Sequence, residues 1–172
     1  LGTDDQVNTS SESYVAWCWK AGTSWSEDAQ NSNILASSGK KSSTAKFSIA
    51  TWEHRGGSDG NYAIKHNLGT TPEFFMTKSA DQSTNWSCWH TGLSDSANRI
   101  VLTDAATEAS SYWADASDSA DGSGSYANIS SGESPVTSTL FAIQDDEAGA
   151  GTFIGYFFAR TPGLIGIGSY VG

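Results

Sequence analysis

Three histidines and one cysteine are the residues best suited to acid–base or metal chemistry. Cys88 lies two residues before His90, so in a strand both side chains would point to one face of a sheet. A zinc site needs three or four converging ligands. None of His54, His66 and His90 has a second histidine four residues away, as the H-x-x-x-H motif requires. We therefore predict structural roles. His66 should close a turn through residues 67–69, and His90 should make a hydrogen bond near the end of a sheet.

Nucleophilic hydrolysis has no motif to support it. Serine is abundant, but no G-x-S-x-G sequence is present to form a nucleophile elbow. The glycines at 122 and 124 precede neither a lysine nor a helical pattern, so they do not predict a phosphate-binding loop. The sequence predicts a protein that is not an enzyme.

The acidic stretch at residues 104–147 is a candidate cation-binding segment. Residues 104–147 contain nine carboxylates and no Lys or Arg, with Asp115, Asp118 and Asp121 spaced three apart. Calcium prefers several oxygen ligands, but the EF-hand loop spaces its acids by two. We predict a solvated acidic loop, with weak calcium binding as the alternative and no other cofactor.

Three aromatic residues lie in polar surroundings and are candidates for exposed rings. They are Trp25, Trp113 and Tyr126. Exposed Trp and Tyr stack well on sugars and on protein partners, because they offer a large surface at low side-chain entropy. We interpret these rings as packing or protein contacts in preference to glycan contacts.

The elements that would position these residues are strands. Apolar and polar residues alternate in seven short segments separated by turn-forming Gly, Asn, Asp and Ser. The segments are 14–19, 47–52, 73–78, 86–90, 99–103, 139–143 and 152–159. No stretch of 12 residues carries a helical apolar stripe. The pattern predicts an all-β protein, an antiparallel β-sandwich of jelly-roll or concanavalin-like type.

Two pairs of segments resemble each other and suggest an internal repeat. Residues 14–20 (YVAWCWK) are similar to 153–160 (FIGYFFAR), and 47–52 (FSIATW) are similar to 165–170 (IGIGSY). Four units follow from these matches. They are the closing strand of a preceding repeat at 1–20, a polar linker at 21–46, a complete sandwich domain at 47–160, and the start of a following repeat or a C-terminal strand at 161–172.

The N-terminal strand of this scheme belongs to a preceding or neighbouring copy. A strand cut from its own domain exposes unpaired backbone groups, so it needs a sheet to join. We predict that Tyr14, Trp17 and Trp19 either pack into the single full domain or add to a neighbouring chain as an assembly strand.

Several of these segments together resemble a known family. FSIATW at 47–52, HNLGTTPEFFMTK at 66–78 and NWSCWH at 85–90 are similar to repeated domains of marine bacteriophage virion proteins, chiefly tail-fibre or appendage proteins. The similarity covers about residues 46–172. It implies a concanavalin- or LamG-like sandwich that acts as a virion structural module.

Composition fits a surface module. The net charge of −10 argues against nucleic acid as a partner, and 62 of the 172 residues are Ser, Thr or Gly. No apolar run is long enough for membrane insertion. We expect a non-enzymatic virion protein of a tail fibre, spike or capsid-surface appendage that assembles with copies of itself or other virion proteins through sheet surfaces and shared strands. The alternative is a carbohydrate-binding module for a host-surface glycan or polysaccharide.

Overall fold

The structure is a computed structural model that describes residues 9–16, 18–29, 34–54, 62–102, 108–109, 113, 135–143 and 150–169. These residues form strands, turns and extended segments, and no helix among them is long and apolar enough to cross a membrane. The strands are β1 (Thr23–Glu27), β2 (Ile34–Leu35), β3 (Ser37–Ser42), β4 (Phe47–His54), β5 (Tyr62–Lys65), β6 (Phe74–Ser79), β7 (Ser87–His90), β8 (Ile100–Val101), β9 (Leu140–Ile143) and β10 (Gly151–Phe158).

Seven strands form a large sheet in the order β1-β3-β4-β10-β6-β7-β8. Each neighbouring pair in it is antiparallel. The last strand in sequence, β10, lies in the middle of this sheet. Its Gly155 is paired with Ala50 of β4 on one side and with Thr77 of β6 on the other.

Three strands form a small sheet in the order β2-β5-β9. In it β2 and β5 are parallel, whereas β5 and β9 are antiparallel. The two sheets meet through aromatic side chains. Phe141 of β9 lies 5.1 Å from Trp52, 5.6 Å from Phe75 and 4.9 Å from Phe157, measured between ring centroids. The predicted all-β sandwich is confirmed.

Alternation along the central strands explains how the core forms. In β6 the side chains of Phe75, Thr77 and Ser79 are buried, and the residues between them are partly exposed. The buried set faces the small sheet, where Ile64 and Phe141 are fully enclosed. Burying side chains of this size contributes about 1.5–3 kcal/mol each, so this inner face holds the two layers together.

The segment predicted as a polar linker is part of the sandwich, so that prediction is wrong. Within residues 21–46, β3 pairs with β4 along its whole length, from Ser37 opposite Trp52 to Ser42 opposite Phe47, and β1 pairs with β3. The sequences TSWSE and SSGKKS have few apolar residues. Strands toward the edge of a sheet are held mainly by backbone hydrogen bonds and do not need an apolar stripe.

Residues 14–16 and 18–20 of the predicted N-terminal strand have no strand pairing with the described part of this chain, and whether they join a neighbouring copy stays a prediction. Trp17 lies outside the described residues. Tyr14 is 49% exposed and Val15 is 84% exposed. The segment has the residue types of a strand but no neighbouring strand to complete its hydrogen bonds, and isolated strands are not stable.

The C-terminal end also lacks the predicted strand in its described part. Thr161 and Ile165 form an isolated bridge around a tight turn, and residues 166–169 follow without strand pairing. The Arg160 guanidinium donates hydrogen bonds to Glu73 and to the carbonyl of Ile167, which holds this segment against the end of β6. Whether the chain is cut from an array of repeats stays a prediction.

Candidate functional site

His66 forms the turn predicted for it. Its Nδ1 accepts a hydrogen bond from the Leu68 amide at 3.1 Å, and its Nε2 lies 3.1 Å from the carbonyl oxygen of Thr137. Because a carbonyl only accepts, Nε2 carries the proton and the ring is neutral. Complete burial lowers the pKa of His66 from 6.5 to about 4. With both nitrogens engaged, this ring is a structural group.

A polar network beside this turn joins the two sheets. Lys65 of β5 donates to Glu27 of β1 at 2.9 Å, and the Asn67 amide donates to the other Glu27 oxygen at 3.1 Å. Lys41 of β3 donates to the side-chain oxygen Oδ1 of Asn67 at 2.7 Å. Both Glu27 oxygens are therefore occupied by donors from other elements. These contacts indicate a structural role for Glu27, which fastens the edge of the large sheet to β5 and the turn that follows it.

Cys88 and His90 share one face of β7, as predicted. They are opposite Met76 and Phe74 of β6. Cys88 is only 2% exposed, and burial raises the pKa of its thiol from 9.0 to about 12. His90 accepts a hydrogen bond from the Gly92 amide at 2.8 Å, at the end of β7. Within the described residues, no group of three or more His, Cys, Asp or Glu side chains is placed to hold a metal.

The predicted exposed aromatics have different environments. Trp113 is fully buried and lies 4.8 Å from Phe75, so its prediction as an exposed contact ring is wrong. Its polar sequence neighbours concealed this, because a single inward ring leaves no periodic signal. Trp25 is half-buried and packs against the core. Tyr126 lies outside the described residues.

The three aspartates proposed for calcium, Asp115, Asp118 and Asp121, also lie outside the described residues. The structure therefore bears on neither the solvated loop nor its calcium-binding alternative, and both stay predictions.

The strongest candidate for a functional surface is the outer face of the large sheet, the side turned away from the small sheet. Cross-strand pairing places Ile49, Tyr156, Met76, Cys88 and Ile100 side by side in one row across five strands. An antiparallel sheet with one solvated face normally alternates apolar with polar residues. All five positions are apolar or aromatic, so the outer face departs from that alternation; Cys88 is buried, Ile49, Tyr156 and Met76 are partly buried, and Ile100 is 36% exposed.

A second row extends the apolar surface toward one end of the sheet. Phe47, Phe158 and Phe74 are neighbours on β4, β10 and β6. The ring of Trp19, from the segment before β1, lies over this row at 5.8 Å from Phe47 and 5.6 Å from Phe158. Phe47 and Phe158 are buried, whereas Trp19 itself is 42% exposed.

Charged residues lie beside the apolar rows of this face. Ile154 of β10 is opposite Lys78 of β6, and the Lys78 ammonium lies 5.9 Å from the centre of the Trp86 ring. Lys40 of β3 is the neighbour of Ile49 on the other side. Glu53 of β4 is exposed on the same face, opposite Thr152 of β10, so charges of both signs flank the apolar residues.

Sequence reasoning did not find this surface. The outer residues of β10, Ile154, Tyr156 and Phe158, were visible as apolar residues at every second position. Because the inner residues of β10 are apolar as well, the sequence indicates a strand covered on both sides. The rows themselves depend on which strands are neighbours, and a single sequence does not contain the strand order.

The chain was compared with known proteins. The family described as a domain of unknown function (DUF7483) matches residues 1–172. No curated protein and no solved structure gives a significant match.

Proposed function

The chain belongs to the DUF7483 family, and we propose that it is a non-enzymatic structural module of a virion, part of a tail fibre, spike or capsid-surface appendage. It acts by protein–protein assembly, with copies of itself or with other virion proteins. One observation carries the proposal: the apolar outer face of the large sheet.

Protein contact is the use that best fits such a face. Partly exposed apolar side chains that lie side by side on one sheet face, here Ile49, Met76, Tyr156 and Ile100, are typical of interaction sites. The central ring, Tyr156, lies 6.0 Å from Trp19 and 5.7 Å from Trp86. Aromatic clusters of this kind are enriched at protein interfaces because they bury a large area with little loss of side-chain entropy. The resemblance of residues 46–172 to phage appendage domains supplies the virion context.

Glycan recognition has less support. The alternative rested on exposed rings, and Trp113 is fully enclosed in the core while Trp25 packs against it. Assembly is therefore the function that we put forward.

The composition of purified particles tests the proposal. Particles banded on a density gradient from cultures that carry the gene would be digested for peptide sequencing and labelled with an antibody against the recombinant chain. We expect its peptides in the particle band and gold label on the particle surface. The label should disappear when the antibody is pre-absorbed with the recombinant chain, and the peptides should be absent from the same gradient fraction of cultures that lack the gene. Peptides confined to the soluble fraction would contradict a virion role.

A further inference from the structure

One lysine, one asparagine and one glutamate of the polar network are arranged as the reactants of an amide exchange. Nζ of Lys41 lies 2.7 Å from Oδ1 of Asn67, and Nδ2 of Asn67 lies 3.1 Å from Oε1 of Glu27. A lysine only donates and an ionised carboxylate only accepts, so both ends of the carboxamide have a defined orientation. Its carbonyl faces the amine and its nitrogen faces the carboxylate.

The lysine nitrogen is within reach of the carbonyl carbon. The C=O bond is about 1.2 Å long, so Nζ of Lys41 lies at most about 3.9 Å from Cγ of Asn67. Groups arranged to react lie about 3–3.5 Å apart. A small rotation about the last bonds of the lysine side chain is therefore enough to bring the two atoms together.

The backbone fixes the position of the carboxamide. Asn67 directly follows β5 and has a φ of 51°, in the left-handed region that asparagine tolerates better than most residues. The residues on both sides of it are buried, and His66 accepts a hydrogen bond from the amide of Leu68. The turn therefore presents the Asn67 side chain in one direction, toward β1 and β3.

The other two reactants are held by the large sheet. Lys41 is paired along β3 with Ser48 of β4, and Glu27 ends β1. The second carboxylate oxygen of Glu27 is held by Lys65 at 2.9 Å. Reactants fixed in this way behave as though present at very high concentration. A bond that forms once in each molecule needs a rate far below that of an enzyme.

We propose that Lys41 and Asn67 form an isopeptide bond, an amide between their side chains. The neutral Lys41 amine attacks Cγ of Asn67, the Nζ–Cγ bond forms, and the carbonyl π electrons move to Oδ1. When the carbonyl forms again, the Cγ–Nδ2 bond breaks and its electron pair leaves with Nδ2.

Glu27 carries the proton of this step. In the tetrahedral intermediate both nitrogens are bonded to Cγ, so a carboxylate beside Nδ2 reaches both of them. Glu27 takes a proton from the attacking nitrogen and donates it to Nδ2, which leaves as ammonia. The proton that Lys41 loses to become neutral ends on the released ammonia. One lysine ammonium is consumed and one ammonium ion is released, so atoms and charge balance without an oxidant or a cofactor.

The bond would join the two layers of the sandwich. It connects β3, near the edge of the large sheet, to the turn after β5 of the small sheet, and it closes a loop over residues 41–67. A covalent link of this kind stabilises a fold mainly by restricting the unfolded chain. The inference concerns the chain alone and does not depend on the proposed virion role.

The intact mass of the folded full chain tests the bond. We expect a mass about 17 Da below that calculated from the sequence, because one ammonia is lost. Trypsin does not cleave after an acylated lysine, so the digest should contain residues 41–46 joined to residues 66–78. Cyclisation of Asn67 on its own backbone loses the same mass but joins no two peptides.

Three variants identify the reacting groups. Lys41→Arg keeps the charge and the hydrogen-bond donor but has no neutral amine, so it should retain the full mass and have a Tm about 5–10 °C lower. Glu27→Gln cannot carry the proton, and its bond should form at least about 100-fold more slowly. Lys40→Arg is the matched control, because Lys40 is the neighbouring residue of β3 and points to the other face of the sheet. It should lose ammonia like the unmodified chain.

Two outcomes would overturn the bond. One is an unmodified chain that is folded and still has the full sequence mass after days at room temperature. This result needs no variant, so it does not depend on whether a variant folds. The other is the same loss of mass in Lys41→Arg, which would locate the reaction at another residue. Neither outcome bears on the virion role, which the particle composition decides separately.

Discussion

The two faces of the large sheet are both apolar at its centre, yet they are covered in different ways. The inner face packs against the small sheet, where Phe75 is fully buried between Phe141 and Phe157. Among the described residues, the outer face is contacted by the ring of Trp19, which is itself 42% exposed. Apolar composition alone therefore does not distinguish the inner face of this sheet from its outer face. What distinguishes them is whether a second layer of the same chain covers the residue.

Adjacent phenylalanines on β6 give the sharpest contrast between the faces. Phe75 points inward and contacts Trp89 and Trp113, whereas Phe74 points outward and is partly exposed. We expect Phe75→Ala to lower the free energy of unfolding by about 3–5 kcal/mol and Phe74→Ala by about 1–2 kcal/mol, measured by urea denaturation. If Phe75→Ala fails to fold, Phe75→Leu replaces it. Equal losses at both positions would contradict the assignment of the faces.

β3 of the large sheet should tolerate no added side-chain volume at Gly39. A Cβ there would lie 1.8 Å from the carbonyl oxygen of Ile49 on the paired strand. Gly39→Ala should therefore force β3 away from β4 and cost about 1–3 kcal/mol in the same assay. Gly166→Ala is the matched control, since nothing lies within 4 Å of its added Cβ. A stable Gly39→Ala protein would mean that β3 is held more loosely than its pairing indicates.

His66 provides a pH-dependent measure of the inner face. Its pKa is about 4 in the folded chain against 6.5 for an ordinary histidine. The unfolded chain therefore takes up a proton below about pH 6.5 that the folded chain does not take up until about pH 4, and stability falls as pH falls through this window. From pH 7 to pH 5 we expect a loss of about 2 kcal/mol from this group.

The control for that measurement is His66→Gln, which has no titrating ring. The difference in unfolding free energy between the two proteins should narrow as pH falls from 7 to 5. If the difference stayed constant, His66 would titrate normally and its burial would be wrong.

The smallest expected effect is on the thiol reactivity of Cys88, which reports how far solvent reaches the outer face at β7. Cys18 is exposed, but Cys88 is buried on the outer face and has a raised pKa. A thiol reagent at pH 8 should therefore label one cysteine of the native chain rapidly and the second only after denaturant is added. Cys18→Ser should remove the rapid phase. Two rapid phases in the native protein would show that this part of the face is open.

The sequence predicted the strands that are rich in aromatic and aliphatic residues. The segments around β4, β6, β7, β9 and β10 were found by alternation, and their β-sandwich followed. It missed β1 and β3 because their inward residues include Glu27 and Lys41, whose charges are satisfied only by Asn67 and Lys65 from distant segments. It placed a strand at 14–19 on alternation and on the similarity to residues 153–160, and its pairing with a neighbouring copy stays a prediction.

The candidate site could be predicted only in part. Trp19 was identified as an assembly residue, which stays a prediction, but its partners were not identified. Ile49, Tyr156 and Met76 are neighbours although Tyr156 follows Ile49 by more than 100 residues, because β10 lies between β4 and β6. Only the strand order brings such residues together, and it is a long-range property of the fold.

The central position of β10 also governs when the large sheet can form during synthesis. Until residues 151–158 leave the ribosome, β4 and β6 have no common neighbour, and the strands on either side are two incomplete half-sheets with open edges. Closing them joins residues that are far apart in sequence, a contact pattern associated with slow folding. The nascent chain must therefore keep two unpaired edges apart from those of its neighbours until its final strand arrives.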